Sequence, residues 1–305
     1  MNGFLNILKP AGMSSSDVVA VARKLTGQKK LGHSGTLDPL AAGVLPLCLG
    51  RATKLFDYLM EKDKIYLAEL TLGAETDTQD AAGEIIARGD PTGISAQVLE
   101  AALANFRGRI RQQPPMYSAL VRDGKKLYKL ARAGQTVERE FRDVDILRLE
   151  LVEQTGPHSF LLEVECSKGT YIRTLLADIG QALGCCGCMT FLLRTASGLF
   201  RLEDTVTLEE LAELAKAGRI AQVLLPMDVP LEHLPRYDCP EGRGMHLLNG
   251  IPQPCTLAPG SLARVYVKGV FVGLGTILPD EGAGAVCRMK TTLLEWSQLP
   301  HEDME

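Results

Sequence analysis

Residues 63–73 read DKIYLAELTLG, a short apolar run that predicts a buried β-strand ending at Gly73. The stretch 159–169, SFLLEVECSKG, predicts a second strand, because apolar residues alternate along it before a tight turn. The face expected to point inward carries Phe160, Leu162, Val164 and Cys166. We therefore expect β-sheet structure in this part of the chain.

Four further stretches predict helices, over residues 14–27, 94–108, 174–184 and 207–218. Ser16 and Ser95 are the predicted N-caps of the first two, and Gly27 ends the first. Thr207 and Glu210 have the spacing of a capping box. Helices and strands alternate without regular βαβ spacing, so the fold class predicted is α+β rather than doubly wound.

The composition changes after about residue 225. Four prolines and little periodicity over 224–242 predict a linker. Short strands then follow at 263–267, 270–278 and 285–290, and predict a small β-barrel. We therefore expect two domains, residues 1–232 and residues 236–296.

The charge of the chain is distributed unevenly. The net charge of −4 argues against indiscriminate binding to nucleic acids. However, residues 120–142 contain seven basic and three acidic side chains, and Arg107, Arg109 and Arg111 lie just before them. The segment 107–142 thus predicts either a defined binding site for a structured polyanion or a solvated basic surface loop.

No stretch predicts a membrane span or a signal peptide, so we expect the eight cysteines to be reduced in the cytoplasm. Cys185, Cys186 and Cys188 contain a C-x-x-C pair, but a zinc site normally requires a second pair. We expect small buried thiols there, and no metal.

Residues 32–47, GHSGTLDPLAAGVLPL, hold the first candidate catalytic side chains. Ser34 does not fit a nucleophile elbow, because Thr36 stands where that motif has its second glycine. Phosphate-binding glycine loops are absent from this stretch. The acidic run at 75–84 does not fit a calcium loop, and predicts a turn with exposed acids.

Asp38 is the remaining candidate. Pro39 restricts it to an extended or turn conformation, and an apolar run follows directly. A carboxylate at the mouth of an apolar pocket is a reasonable nucleophile if a cation keeps it ionised. The local sequence by itself favours the other interpretation, an Asx-turn residue that caps a loop.

Six blocks of the sequence together resemble the TruB family of tRNA pseudouridine synthases. They are ILKPAGMSSSDVV (7–19), GHSGTLDPLAAGVLPLCLGRATK (32–54), KIYLAELTLGAETDTQDAAG (64–83), QQPPMYSALVRDGKKLYKLARAG (112–134), CSKGTYIRTLLADIG (166–180) and MTFLLRTASGLF (189–200). Two positions depart from the family pattern, Leu193 in place of an arginine and Cys188 where histidine is common. Neither position is one that the resemblance makes catalytic.

The resemblance implies a mixed, largely antiparallel sheet of pseudouridine-synthase type, with the basic segment inserted, followed by a PUA-like barrel. It implies isomerisation of uridine to pseudouridine, without cofactor or metal. Asp38 is the implied catalytic carboxylate and Arg173 its bidentate partner. The alternative for Arg173 is a surface residue at a strand end. Tyr66 is implied to stack on the target base, and its phenol is a candidate for moving a proton off the sugar.

The resemblance also implies residues that contact RNA. His33 would fill the space left by the flipped nucleotide, and Tyr171 and Leu192 would line the pocket. Contacts to phosphates are implied for Lys9, Lys125, Lys126 and Arg132, and contacts to the acceptor stem for the C-terminal barrel.

The implied partner is the T-stem-loop of tRNA, modified at uridine 55 by a monomeric enzyme. One alternative is an RNA-binding factor that folds tRNA, with catalysis secondary. Another is modification of ribosomal or RNA-guided sites, which is less expected because no basic tail is present.

Overall fold

Two large sheets and seven α-helices organise the residues described in this computed structural model, 1–60, 63–118, 120–122, 124–280 and 284–299. The strands are β1 (Gly3–Lys9), β2 (Leu31–His33), β3 (Ala42–Leu49), β4 (Lys64–Leu72), β5 (Ala74–Thr76), β6 (Ile85–Arg88), β7 (Gly108–Gln112), β8 (Val121–Arg122), β9 (Lys125–Lys126), β10 (Arg142–Gly156), β11 (Ser159–Cys166), β12 (Gly187–Ser197), β13 (Phe200–Arg201), β14 (Arg236–Asp238), β15 (Gln253–Cys255), β16 (Leu262–Val267), β17 (Val270–Pro279) and β18 (Ala285–Thr292). The helices are α1 (Ser15–Thr26), α2 (Phe56–Met60), α3 (Ala96–Leu103), α4 (Leu127–Arg132), α5 (Ile172–Ala182), α6 (Leu208–Lys216) and α7 (Gly244–Leu248).

The larger sheet has nine strands, seven of them in the order β1-β3-β12-β4-β11-β10-β7, with β2 paired to β3 and β13 to β12. All pairs are antiparallel except β3 with β12, which confirms the prediction of a mixed, largely antiparallel sheet. The strand predicted from residues 63–73 is β4, at the centre of that order. Every second residue of β4 is buried, so one face of the sheet packs against the core.

Most of the predicted helix caps are confirmed, but one lies elsewhere. Helix α1 is capped by Ser14 rather than Ser16, because Asp17 lies three residues after Ser14 and completes a capping box. Gly27 ends that helix in the left-handed conformation, at φ 64°. Ser95 caps α3, and the Thr207 capping box starts α6, as predicted.

Helix α5 packs against the buried face of the larger sheet and is held close to β12. A Cβ atom on Gly180 would lie 2.4 Å from the backbone nitrogen of Gly187, so only glycine permits this approach. Eight of the helix's eleven residues are buried, among them Leu175, Leu176 and Ile179. The close contact holds the C-terminal turn of α5 against the start of β12.

The C-terminal strands form a five-stranded sheet in the order β14-β16-β17-β18-β15. The closed barrel predicted from the sequence is not formed by the described strands, because β14 and β15 are three-residue strands that each pair on one side only. The stretch predicted as a linker is packed rather than free. Leu231 is fully buried, and the hydroxyl of Tyr266 donates to Asp228 at 2.6 Å.

One hydrophobic cluster spans both sheets. It joins Phe4 and Val44 of the larger sheet with Phe271 and Leu274 of the smaller one. The side chains of Arg51 and Lys54 also donate to backbone carbonyls in or directly after β18. We therefore expect the two parts to unfold together. Among the described residues, no helix combines the length and apolar character needed to cross a bilayer.

Leu274→Ala is expected to lower the free energy of unfolding by about 2–5 kcal/mol, because it opens a cavity in the shared cluster. Trp296, the single tryptophan of the chain, reports on the C-terminal part by fluorescence, and far-UV circular dichroism reports on the whole chain. Urea unfolding followed by both probes is expected to give coincident transitions. Met245→Ala, at an exposed position, is the control. A fluorescence transition preceding the dichroism transition would contradict coupling through the cluster.

Candidate active site

A cavity of about 230 Å³ opens where the loop before β3, strands β4 and β12, and the start of α5 meet. Five residues singled out from the sequence line it together: Asp38, Tyr66, Tyr171, Arg173 and Leu192. They come from positions as much as 154 residues apart in the chain, so the fold alone brings them together.

Arg173 and Asp38 form the central ion pair, with Arg173 Nε 2.9 Å from Asp38 Oδ2. The predicted bidentate geometry is wrong, because the two terminal nitrogens of Arg173 bind elsewhere. They donate to the carbonyls of Thr78 and Tyr117, each at 2.8 Å. Arg173 lies in the first turn of α5 rather than at a strand end, since the helix starts at Ile172.

Asp80 is a site residue that the sequence analysis misread as an exposed acid in a turn. It is buried, and its carboxylate lies 3.7 Å from Nη1 of Arg173. The hydroxyl of Thr78 and the backbone nitrogen of Ala82 donate to its other oxygen, at 2.7 and 3.0 Å. The signal available in the sequence is the TDTQD run at 76–80, which lies within one of the family motif blocks.

Burial raises the pKa of Asp38, the nearby Arg173 guanidinium lowers it, and the Asp80 carboxylate raises it further. The net direction is upward, although the side chain keeps 36% of its surface exposed. An ionised carboxylate in such surroundings is poorly solvated, so an interaction with an electron-poor centre stabilises it.

The loop that carries Asp38 is tied to the N-terminal strand and helix. The Ser15 hydroxyl donates to the Leu37 carbonyl at 3.0 Å and accepts from the Leu37 backbone nitrogen at 2.9 Å. Lys9 donates to the carbonyls of Pro39 at 3.3 Å and Ala41 at 2.6 Å. Because these bonds flank Asp38 on both sides, the carboxylate is presented from a fixed turn.

Lys9 is therefore a structural residue of this loop. It is fully buried, and desolvation lowers its pKa to about 8. A third hydrogen bond, to the Pro10 carbonyl at 2.8 Å, completes its donors. The phosphate contact predicted for Lys9 is wrong in this structure, because the ammonium group does not reach the surface.

Tyr66 and Leu192 line the cavity from neighbouring strands. Tyr66 lies directly opposite Arg194 in the register of β4 with β12, and Leu192 lies opposite Ala68. Burial raises the pKa of the Tyr66 phenol, and the positive charge of the Arg194 guanidinium opposes this shift. Arg194 also lines the cavity, although no local pattern in the sequence indicates it.

Tyr171 immediately precedes α5, rather than lying in a strand. Its backbone nitrogen donates to the side chain of Gln112 at 2.8 Å, and its carbonyl accepts from the same amide at 3.1 Å. Gln112 is fully buried and belongs to β7, the strand at one edge of the sheet. The edge strand therefore fixes the position of Tyr171.

The other predicted RNA contacts lie outside the cavity. His33 ends β2, is half-buried, and is not among the lining residues. Lys125 is exposed in β9. The side chains of Lys126 and Arg132 lie outside the described part of the structure. These four contacts stay predictions. Within the described residues, no three His, Cys, Asp or Glu side chains are placed to hold a metal ion.

Two family models match the chain in succession. The model of the TruB family pseudouridylate synthase N-terminal domain matches residues 23–172. The model of the tRNA pseudouridylate synthase B C-terminal domain matches residues 173–232. The boundary between the two matches falls within the site, between Ile172 and Arg173.

Curated relatives are similar over most of their length. The tRNA pseudouridine synthase B of Alkaliphilus oremlandii is 47% identical over 292 residues, which is 92% of this chain and 95% of the relative. That of Heliobacterium modesticaldum is 49% identical over 83% of this chain and 82% of its own.

Two solved structures share the fold. A chain in the crystal structure of a Cbf5-Nop10-Gar1 complex superposes with a TM-score of 0.74 at 26% identity, covering 98% of this chain and 87% of its own. A chain of an H/ACA RNP bound to a substrate RNA containing 2′-deoxyuridine gives 0.73 at 24% identity, with the same coverage.

Asp38→Asn is expected to leave the free energy of unfolding at pH 7 unchanged or higher. Folding raises the pKa of Asp38, so ionisation of this side chain disfavours the folded state. The wild-type protein therefore loses stability as the pH rises from the ordinary carboxyl pKa to the raised pKa of the folded state. The stability difference between variant and wild type should therefore grow over that window, and vanish below it. Urea unfolding from pH 4 to pH 8 measures the difference.

Asp238→Asn is the control of opposite sign, because the Arg236 guanidinium lowers the pKa of Asp238. Its ionised form favours folding, so this variant should lose stability relative to wild type as the pH rises. A stability difference for Asp38→Asn that is unfavourable and independent of pH would contradict the raised pKa.

Proposed function

The chain belongs to the TruB family of pseudouridylate synthases, and we propose that it isomerises uridine to pseudouridine in the T-loop of tRNA, at position 55. The observation that carries the proposal is the cavity in which Asp38 meets Arg173 beside Tyr66. The activity class also follows from relatives at 45–49% identity that are named tRNA pseudouridine synthase B.

The reaction breaks the C1′–N1 bond of uridine, turns the base, and forms a C1′–C5 bond, with loss of the proton from C5 and gain of a proton at N1. Positive charge develops at C1′ as the first bond breaks. A carboxylate is suited to stabilise or trap that charge, as glycosidase carboxylates do. Asp38 is placed for this role, because it is the carboxylate that lines the cavity while keeping part of its surface open.

Arg173 keeps Asp38 ionised and oriented. Its guanidinium opposes the effect of burial on the Asp38 pKa, and its other hydrogen bonds to backbone carbonyls prevent it from turning away. Tyr66 and Leu192 supply the walls for a base that has been flipped out of its stack.

RNA binding is proposed for two regions outside the cavity. The segment 107–142 includes Arg109 and Lys125, both exposed, and lies beside the residues that line the cavity. The C-terminal part, residues 236–296, is proposed to be a PUA-like unit that contacts the acceptor stem. Catalysis is assigned to residues 1–232.

The enzyme is proposed to act as a cytoplasmic monomer. Asp38, Tyr66 and Arg173 come from one chain, so the cavity needs no residue from a second copy. All eight cysteines are free, as a reducing compartment maintains them. The isomerisation exchanges no group with a third molecule, so we propose no cofactor.

Release of tritium from unmodified tRNA labelled at C5 of uridine tests the activity, and primer extension after carbodiimide treatment tests the position. Asp38→Asn is expected to reduce the rate at least about 10³-fold, because the charge that stabilises C1′ is removed. Binding of tRNA should change little, since Asp38 contributes one side chain to a large interface. Asp57→Asn, at an exposed position on α2, is the control with unchanged rate.

The same assay separates catalysis from a role in tRNA folding. An Asp38→Asn variant that still releases tritium at the wild-type rate would contradict the assignment of Asp38. A wild-type protein that binds tRNA without forming pseudouridine at position 55 would contradict the proposed function itself.

A further inference from the structure

Arg142 lies at the mouth of the active-site cavity, against two of the residues that line it. Its guanidinium carbon is 5.7 Å from the centre of the Tyr171 ring, within the range of a cation–π contact. A Cβ atom on Gly169 would lie 3.5 Å from Nη1 of Arg142, so the guanidinium also lies beside the turn before α5. Gly169 is exposed and Tyr171 is half-buried, which places Arg142 where the cavity opens to solvent.

The hydrogen-bond donors of Arg142 are not taken up by the protein. Arg109, on the neighbouring strand, is paired with Asp143 at 2.6 Å, and Arg139 donates to the Pro114 carbonyl at 3.0 Å. In the part of the chain that the structure describes, the Arg142 guanidinium forms no such ion pair or hydrogen bond, and its contact is the Tyr171 ring. Its N–H groups are therefore available to a ligand.

One buried residue fixes both Arg142 and Tyr171. Arg142 begins β10 and lies opposite Gln112 in the register of β10 with β7. The side-chain amide of Gln112 accepts from the backbone nitrogen of Tyr171 at 2.8 Å and donates to its carbonyl at 3.1 Å. Gln112 is fully buried. Because the same residue contacts both backbones, the guanidinium and the ring keep their relative position.

The surrounding charges favour one side of the guanidinium. Arg142 also lines a second cavity, of about 290 Å³, together with Glu138 and Glu140. Within the described residues, neither of these carboxylates forms an ion pair with Arg142. Both line the second cavity and not the one that holds Asp38. An anionic ligand is therefore favoured on the side of Arg142 that faces Tyr171 and the active site.

A phosphate group fits this arrangement. A planar guanidinium that stacks on an aromatic ring keeps its N–H edge free, and two parallel N–H groups match two phosphate oxygens. A uridine flipped into the cavity places its base beside Tyr66 and Asp38. Its sugar and the two phosphates that flank it then remain at the opening, where Arg142 lies.

We propose that Arg142 binds a phosphate that flanks the flipped uridine, with the Tyr171 ring as its platform. The inference rests on the proposed function, and adds to it a defined contact between the basic segment 107–142 and the target nucleotide itself. The contact holds the nucleotide in the cavity by its backbone, so it stabilises the bound RNA before and during the reaction equally.

Phosphate-ethylation interference on unmodified tRNA tests the contact, because each ethyl group removes the charge of one phosphate. Ethylated tRNA is mixed with Asp38→Asn protein, which leaves the uridine unreacted, and the bound and free fractions are compared. Ethylation of a phosphate next to position 55 is expected to exclude tRNA from the bound fraction. Adding Arg142→Gln should abolish the interference at that phosphate and preserve it at the other positions.

The affinity and its salt dependence give a second readout. Arg142→Gln should weaken tRNA binding roughly 10- to 100-fold, the range for hydrogen bonds to a charged group. The slope of log affinity against log salt concentration should become shallower by about 0.7–0.9, because one phosphate contact fewer releases counterions. The single-turnover rate at saturating tRNA should fall less than about 3-fold, since uniform binding is lost. Arg142→Lys keeps the charge, and should restore the slope.

Arg148→Gln is the matched control on the same strand. Arg148 is paired with Glu163 and Glu165, so its change should alter neither the interference pattern nor the salt slope. Arg142→Met is a second neutral variant, and keeps the proposal testable if Arg142→Gln folds poorly. Its unbranched side chain still covers the Tyr171 ring but carries no charge.

An interference pattern that the neutral Arg142 variants leave unchanged would overturn the proposal. A large loss of rate at saturating tRNA with an unchanged salt slope would also overturn it, because Arg142 would then act only by holding Tyr171. Either result, obtained with a wild-type protein that forms pseudouridine, would leave the proposed function intact. An inactive wild-type protein would instead contradict the proposed function, and this inference with it.

Discussion

The guanidinium of Arg173 is the interaction on which the site depends. It binds Asp38 from the loop before β3, the Thr78 carbonyl from the turn after β5, and the Tyr117 carbonyl from the segment after β7. The arginine is therefore a point where these three segments meet. Its place in the first turn of a helix puts a cation at the positive end of the helix dipole. The two nearby carboxylates, Asp38 and Asp80, offset that unfavourable position.

Buried cations lie on both sides of the Asp38 turn. Lys9 and Arg194 are both essentially inaccessible, and desolvation lowers the pKa of Lys9 to about 8. Both side chains donate to backbone carbonyls on either side of the Asp38 turn. The two cations therefore shape the loop and also set the electrostatic potential around it. Desolvation in turn raises the pKa of Asp38. Stability and reactivity are thus opposed at this site, as they often are where charged groups are held away from water.

Much of the outer architecture serves to keep this arrangement rigid. The shared cluster holds the C-terminal sheet against β1 and β3, and β3 directly follows the catalytic loop in the chain. Gly180 lets α5 approach β12, and Gly43 lets β3 approach the same strand. Both contacts converge on the cavity wall, since β12 supplies Leu192 and Arg194. The position of the reacting groups therefore follows from backbone packing.

The sequence by itself determined the local structure and the chemical candidates. An apolar run defined β4, alternation defined β11, and capping residues defined α3 and α6. Motif blocks identified Asp38, Tyr66 and Arg173. Each of these signals lies within a few neighbouring residues, where steric and hydrogen-bonding preferences act directly. The tertiary structure alone decided which polar groups are buried. It turned Lys9 from an expected surface contact into a loop anchor, and Asp80 from an exposed acid into a partner of Arg173. It also placed Arg194 opposite Tyr66. Burial and strand register depend on segments far apart in the chain, and no local pattern encodes them.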